Sequence, residues 1–514
     1  RQMGYQVTML NVSECSASAM QVKESIVQAY NSYDNPPEYI CLVGDAGAST
    51  TQIPTFYESY YFNISGDYPY SLLDGEDNFP DALVSRITFN NNTQLATIIS
   101  KIRNYEMNVA QDNQWLNNYL LVGDPIDSGI STIHTMKYIR QLIEGLNPNA
   151  TFDEVYSSPF DLNINESINE GAAAFYYRGF GGTSQWNSND IDELVNTGKY
   201  PFATLLTCFT GEFDGSQTSV IEAFLKSGTP NNPTGGCAVI GASSATHTCF
   251  NNLMTGSIAN AVHYQEVDNL TVAMNYAKMA LYESYPDNPN QYVDQYLMLT
   301  NMLGDPGMQL RTGVPETINL EFTETVPIGT SNINVLATNN SGVPLADVWV
   351  AIGNEDDETY TSGYTNTDGS LNLGYQVDDQ QDLDITATKK NCVPVIAQIE
   401  VNDDSVVGFQ EVVDLNNFDS GKTADFHVSL INYTNMDYDQ IELTLTSDNE
   451  YIEITESETV INSLPAGEEA VSSDPFLVGI SPECPHDEVI GFELIGSDMN
   501  FYFELETSAP MLAI

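Results

Sequence analysis

The spacing of apolar and polar residues changes character near residue 315, and that change divides the chain. Before it, helical and strand periods alternate. Residues 5 to 10 read as a strand. Ala19 to Tyr33 reads as a helix with Val22, Ile26, Ala29 and Tyr30 on one face, and Tyr39 to Val43 as a second strand closing on Gly44-Asp45, which together make a βαβ unit. Thr93 to Val109 predicts a helix with Leu95, Ile98, Ile99, Ile102 and Tyr105 on one stripe and Thr93 as its cap. Tyr119 to Val122 is a further strand, followed by a Gly123-Asp124-Pro125-Ile126-Asp127 loop.

Two short apolar runs then stand out, Ala172 to Tyr177 and Phe202 to Thr207. They are bounded by Gly and Pro and rich in β-branched and aromatic residues, as adjacent buried strands of an α/β sheet would be. A helix around Val220 to Leu225, a strand Cys237 to Gly241, and a helix with Val272, Tyr276 and Met279 inward complete this part. It closes on Leu303-Gly304-Asp305-Pro306. After Pro315 helical periods vanish and short alternating strands recur with turn signals every 8 to 12 residues, the pattern of β-sandwiches. Asp368-Gly369 reads as a hairpin turn. The expected divisions are 1–110 and 111–315 for two α/β halves, 316–402 and 403–508 for two sandwiches, and 509–514 as the start of a further segment.

In open α/β sheets ligands bind beyond the carboxyl ends of strands. The two apolar runs end in Gly179-Phe180-Gly181-Gly182 and in Cys208-Phe209-Thr210-Gly211, so chemistry is expected at these turns. Composition narrows the classes of partner. With 15 basic and 71 acidic residues among 514, the net charge is 15 − 71 = −56. Such a surface repels nucleic acid and anionic membranes, both of which require clustered Lys and Arg, so the expected partner is a protein or peptide. No apolar run reaches the roughly 18 residues of a membrane helix. Seven cysteines is an odd number, leaving at least one thiol without a partner in the chain; Cys237 with Cys249, or Cys392 with Cys484, could pair. Asp74, Glu76, Asp77 and Asp81 place four carboxylates within eight positions, a hard-oxygen cluster suited to calcium. Arg1-Gln2-Met3-Gly4-Tyr5 reads as the approach to a strand inside a fold, and Ala509-Pro510 as the entry to another module.

The second pair of turns, with Trp186 after the first and Cys208-Phe209-Thr210-Gly211-Glu212-Phe213-Asp214 at the second, resembles the gingipain family of cysteine peptidases. Leu42-Val43-Gly44-Asp45, the acidic segment before Ser85-Arg86, and Leu303-Gly304-Asp305-Pro306 extend the resemblance over about the first three-fifths of the chain. Gly342 to Val348 and Thr365 to Leu371 are similar to the immunoglobulin-like module that follows the catalytic domain in that family. The resemblance implies an α/β caspase-like domain of two half-sheets followed by two all-β immunoglobulin-like sandwiches, exported by the type IX route to the cell surface or beyond.

It also implies roles. Cys208 takes the nucleophile position, and the backbone N–H groups of Gly181 and Cys208 form the oxyanion hole. The family's general base is a His between two Gly, and Phe180 stands there. The primary pocket maps to Thr132, Cys249 and Trp186, with Asp124 and Asp127 as nearby acids. Among His134, His247, His263, His427 and His486, only His247 follows a strand on the catalytic half, so it is the candidate substitute base. A thiol without an imidazole lacks both help in ionising and a proton for the leaving amine. The expected function is a degenerate peptidase used in binding or surface assembly. The alternatives are an active endopeptidase using Cys208 with His247, and a structural subunit of an extracellular filament or surface layer that associates with itself.

Overall fold

The structure is a computed structural model describing residues 3–11, 18–33, 35–47, 52–60, 62–107, 113–354, 359–377, 380–486, 488–496 and 499–507. It divides into two compact units, Met9–Pro315 and a second made of Arg1–Thr8 with Glu316–Ile514.

The first unit is built on one eight-stranded sheet. Its strands are β1 (Tyr39–Val43), β4 (Leu83–Ile87), β5 (Asn118–Gly123), β6 (Thr151–Val155), β7 (Ala174–Arg178), β8 (Phe202–Leu205), β11 (Ala238–Ala242) and β12 (Thr300–Leu303). A small hairpin, β2 (Phe56–Ser59) with β3 (Asn63–Gly66), and a second of β9 (Gly228–Thr229) with β10 (Asn232–Pro233), lie apart from it. The spatial order is β1-β4-β12-β11-β8-β7-β5-β6, parallel throughout except where β12 runs against β11. The two expected half-sheets are therefore joined. The join is short, Leu303 opposite Arg86, and local patterns could not reveal it because the two residues are 217 positions apart (303 − 86).

Helices α1 (Ala19–Ser32), α2 (Asn92–Met107), α3 (Ser131–Leu146), α4 (Phe160–Glu170), α5 (Ser188–Asp192), α6 (Val220–Lys226), α7 (Thr248–His263), α8 (Leu270–Ser284) and α9 (Tyr292–Leu299) accompany the sheet. Their ends follow capping chemistry. Ser18 accepts from the Gln21 amide at 3.3 Å at the start of α1, and Ser219 with Glu222 forms a capping box on α6. At α2 the capping side chain is Asn91, which accepts from the Gln94 amide at 3.1 Å, rather than Thr93. The buried face of α2 is Thr97, Ile98, Lys101, Ile102 and Tyr105, while Ile99 lies on the exposed side. Likewise Leu270, Met274, Ala277 and Leu281 face inward on α8 and Tyr276 outward. In both helices the true stripe includes a buried lysine, which an apolar count skips. Lys101 Nζ donates to Phe224 O at 3.3 Å and Leu225 O at 2.8 Å, closing the end of α6, and Lys278 Nζ sits 4.2 Å from the Tyr68 ring centroid.

Burial is most complete around β5, β7, β8 and β11, whose residues from Tyr119 to Val122, Ala174 to Arg178 and Phe202 to Leu205 are inaccessible to solvent. Beside the sheet join, Arg86 is buried and bonded to Asp67 by Nε at 2.7 Å and Nη2 at 2.7 Å. Its Nη1 donates to Gly44 O at 2.9 Å and Ile53 O at 2.8 Å. This cluster ties the residue after β3 to β4 and the end of β1.

Residues 5 to 10, which run from the second unit into the first, form no strand. Tyr5 packs its ring 5.0 Å from that of Trp349, and Tyr360 Oη donates to Gly4 O at 3.0 Å, while Val7, Met9 and Leu10 are exposed. The remainder of the second unit is all-β, compatible with the expected immunoglobulin-like modules. One apolar cluster, including Ile333, Val350, Ile385 and Ile399, fills the strands up to Val395–Ser405. A separate one, including Phe426, Leu443, Phe476 and Phe492, fills those from Val407–Asn416 to Asn500–Glu506. Among the described residues no helix is long and apolar enough to cross a membrane. Cys41, Cys208, Cys237, Cys249, Cys392 and Cys484 are all free, so neither considered disulfide forms; Cys15 lies outside the described residues.

Candidate active site

Strands β7 and β8 are parallel neighbours, with Tyr177 opposite Leu205, so their carboxyl ends deliver the two turns side by side. The Gly182 amide donates to Cys208 O at 3.2 Å, and Thr207 Oγ1 donates to Gly182 O at 3.2 Å. The predicted juxtaposition of the Phe180 and Cys208 turns is therefore present. Glycine is required here. A Cβ on Gly179 would lie 2.2 Å from the Tyr177 hydroxyl, and Gly181 has φ of +57°. Among the described residues no hydrogen bond engages the N–H of Gly181 or of Cys208.

Cys208 is partly exposed, and its sulfur is surrounded by one residue. The Thr246 amide donates to Sγ at 3.2 Å, Thr246 Oγ1 lies at 3.4 Å and Thr246 O at 3.5 Å. Asn251 Nδ2 donates to Thr246 Oγ1 at 2.7 Å. Tyr296 Oη, buried, donates its one hydrogen to Asn251 Oδ1 at 2.8 Å or His247 O at 3.0 Å, and accepts from the His247 amide at 2.7 Å. Burial raises Tyr296 well above the ordinary phenol range.

No imidazole hydrogen-bonds Cys208 among the described residues. His247 precedes α7, and its Nδ1 lies 3.1 Å from the sulfur of Cys249, with its ring against Phe250 and Tyr292 at 5.6 and 5.9 Å. The candidate base thus serves a different thiol. Phe180 is 56% exposed; Phe209 is exposed too, and its ring is 6.3 Å from that of Phe62.

Arg178, the last residue of β7, went unnoticed in the sequence because it closes an apolar run. It is buried, with Nε donating to Asn252 Oδ1 at 2.9 Å, Nη2 to Thr248 O at 3.4 Å and Nη1 to Leu206 O. Burial pushes it down to about 10, while Tyr296, Tyr177 and Cys208 favour its charge. The signal was available: a charge ending a strand whose other residues are all apolar or aromatic.

The other site residues are held by partners of their own. Trp186 is core, edge-on to Phe175 and Phe224, with Nε1 donating to Asn165 Oδ1 at 2.9 Å. Thr132 is buried, and its hydroxyl donates to Asp124 O at 2.9 Å or Gly129 O at 3.1 Å. Asp124 is buried too; it accepts from the Ile126 amide at 2.8 Å and from Ser184 Oγ, which accepts from Tyr177 Oη at 2.6 Å. It braces the first turn and has no free edge for a basic substrate group. Asp127 and Cys249 are exposed. In the acidic segment Asp81 accepts from the Leu73 and Asp74 amides at 2.7 and 3.0 Å, Asp74 from Gly75 at 2.9 Å and Asp77 from Phe79 at 2.8 Å, leaving Glu76 exposed. These carboxylates cap their own turn, and among the described residues no three His, Cys, Asp or Glu side chains gather to hold a metal.

Comparison with known proteins gives one consistent result. The sequence model of peptidase family C25 matches residues 1–311. Gingipain R2 of Porphyromonas gingivalis is 22% identical over 418 residues, 78% of this chain and 54% of that protein. Lys-gingipain of the same organism is 22% identical over 446 residues, 76% of this chain and 24% of the relative. The chain therefore spans about half the length of the first relative and less of the second. Among solved structures, the Arg-specific cysteine proteinase gingipain R superposes with a TM-score of 0.68 at 20% identity, covering 78% of this chain and 93% of that one. The complex of pro- and mature domains of the P. gingivalis protein RgpB gives 0.69 at 19% identity, covering 78% and 95%. At such identities the superpositions establish the caspase-like fold.

Proposed function

The chain belongs to peptidase family C25, and from that premise we propose that it is a secreted or cell-surface protein that keeps the family's nucleophile, lacks its proton shuttle, and serves in binding or surface assembly. One observation carries this reading: among the described residues every hydrogen-bond neighbour of the Cys208 sulfur belongs to Thr246, and the imidazole of His247 is bonded to Cys249. General acid–base help is worth about 10²- to 10⁴-fold, and loss of one member of a cooperating set approaches ~10⁶. A threonine hydroxyl supplies a hydrogen bond to sulfur but neither accepts nor delivers a proton near neutral pH. Secretion to the surface is carried over from the gingipain resemblance, and the acidic surface fits a protein or peptide partner.

The test is hydrolysis of a mixed peptide library by the full chain with calcium and reductant, beside Cys208→Ala. The expected result is no turnover that depends on Cys208. Turnover abolished by Cys208→Ala would reject the reading and favour an endopeptidase in which His247 leaves Cys249 for Cys208.

A further inference from the structure

A thiol acts as a nucleophile when a base beside it takes its proton, and that base must stand within hydrogen-bond reach. Cys249 meets this condition where Cys208 does not. Its sulfur lies 3.1 Å from His247 Nδ1, so an exchangeable proton sits between the two atoms whichever of them carries it. Both residues are exposed, and among the described residues neither side chain forms an ion pair or a second hydrogen bond, which leaves His247 Nε2 open to trade protons with water.

The imidazole is held for this contact. The His247 amide donates to Tyr296 Oη at 2.7 Å and the His247 carbonyl accepts from the Asn251 amide at 3.0 Å, which fixes the backbone on both sides of the ring. The ring itself rests against Phe250 and Tyr292, at 5.6 and 5.9 Å. Cys249 follows in the first turn of α7, where the positive end of the helix dipole favours negative charge developing on sulfur. The titratable groups packed about the pair are the phenols of Tyr292 and Tyr296, and burial keeps the latter protonated.

We propose that Cys249, with His247 as its base, is a second nucleophilic thiol of this chain, one that exchanges with disulfides and carries the resulting mixed disulfide as a reversible modification. The inference rests on the reading that His247 serves Cys249 and not Cys208. Exchange needs a thiol, a proton acceptor and access; its developing charge is spread over sulfur, and no carbonyl oxyanion has to be held. As the proton moves to Nδ1, a Cys249 electron pair forms the bond to the nearer sulfur of the disulfide. The old sulfur–sulfur bond breaks with its pair on the departing sulfur, which takes the proton from the imidazolium. Cys249 is thereby oxidised to the mixed disulfide, the departing half is reduced to a thiol, and His247 returns neutral. Among the described residues no second sulfur is bonded to the pair, so the adduct waits for a thiol from outside. The net charge of −56 favours neutral or cationic disulfides over anionic ones.

The experiment treats the full chain, without reductant, with cystamine as a small cationic disulfide and, in a second arm, with a peptide closed by one disulfide. Adducts on the peptides containing Cys208 and Cys249 are followed separately by mass spectrometry in the parent, His247→Ala and His247→Gln. One adduct on Cys249 is expected from cystamine. A peptide adduct as well would extend the substrate class to protein disulfides, and its absence would confine the class to small ones. His247→Ala should slow Cys249 by roughly threefold or more at pH 7 and match the parent near pH 10, where ordinary thiols ionise unaided. His247→Gln keeps a hydrogen-bonding side chain but holds no proton, and should be as slow as His247→Ala. Equal rates at Cys249 in the parent and His247→Ala at pH 7, or a full rate in His247→Gln, overturn the inference while leaving the proposed function standing. An adduct on Cys208 that depends on His247 overturns both.

Discussion

Asp67→Ala removes the carboxylate that faces Arg86, and its cost follows from the geometry. The Arg86 side chain is fully buried and that of Asp67 6% exposed, with two bonds of 2.7 Å between them. Burial is the largest influence and works against the Arg86 charge, but Asp67, first among its neighbours, together with Tyr70 and Asp45 holds the guanidinium above its ordinary range. Without Asp67 that charge keeps the carbonyls of Gly44 at 2.9 Å, Ile53 at 2.8 Å and Pro54 at 3.3 Å and the Phe213 ring, whose centroid is 5.3 Å away, but no hydrogen-bonded carboxylate. Thr55 Oγ1, which donates to Asp67 at 2.8 Å, loses its acceptor as well. Breaking a buried pair in this way costs about 3–5 kcal/mol. Because Arg86 sits at the β4–β12 join, the loss should appear as faster amide exchange in β4 and β12 of the full chain, by about 10²- to 10⁴-fold at ~1.4 kcal/mol per tenfold. Asp67→Leu with Arg86→Met removes both charges and should recover much of the loss. A tenfold or smaller change in Asp67→Ala, or a double variant worse than the single one, would refute the argument that an unpaired buried charge dominates.

Other expectations test separate parts of the account. Burial holds Lys101 down to about 7, below its ordinary 10.5, so from pH 7 upward the folded state sheds that proton while the unfolded chain keeps it. Stability of the parent relative to Lys101→Met should therefore rise from pH 7 to 9, by at most ~1.4 kcal/mol per pH unit; a pH-independent difference in urea unfolding would contradict this. Ser184→Ala severs the Tyr177–Ser184–Asp124 chain and should destabilise the first turn by about 1–2 kcal/mol, read as exchange at residues 179 to 185. His247→Ala should slow iodoacetamide labelling of Cys249 by roughly threefold or more and leave Cys208 labelling unchanged. Equal slowing at Cys208 would show that the imidazole serves it too.

The sequence exposes what local patterns carry. Cys208 and Phe180 were found because strand-ending turns with glycine are local, and parallel pairing of β7 and β8 then brings them together. What depends on distant contacts was misread. Trp186 follows the first turn at the family's spacing, yet it packs against Phe224 on α6. Side-chain orientation, which spacing does not carry either, turns the Thr132 hydroxyl to Asp124 O and the His247 ring to Cys249, two residues on. Arg178, Lys101 and Lys278 were missed because charges are counted as surface, although each is buried and satisfied by carbonyls, an amide oxygen or an aromatic face. The carboxylates from Asp74 to Asp81 illustrate the reverse: close spacing gathered acids that cap their own turn. No strand forms at residues 5 to 10; of these, Tyr5 packs its ring against Trp349 while Val7, Met9 and Leu10 are exposed.

The most direct test is to return an imidazole to the first turn. Phe180→His, in the full chain, is assayed for amide hydrolysis against the parent and against Phe180→His with Cys208→Ala. The account predicts that Phe180→His gains at least ~10²-fold in Cys208-dependent kcat/KM over the parent. A parent that already hydrolyses peptides through Cys208 as fast as Phe180→His would contradict it.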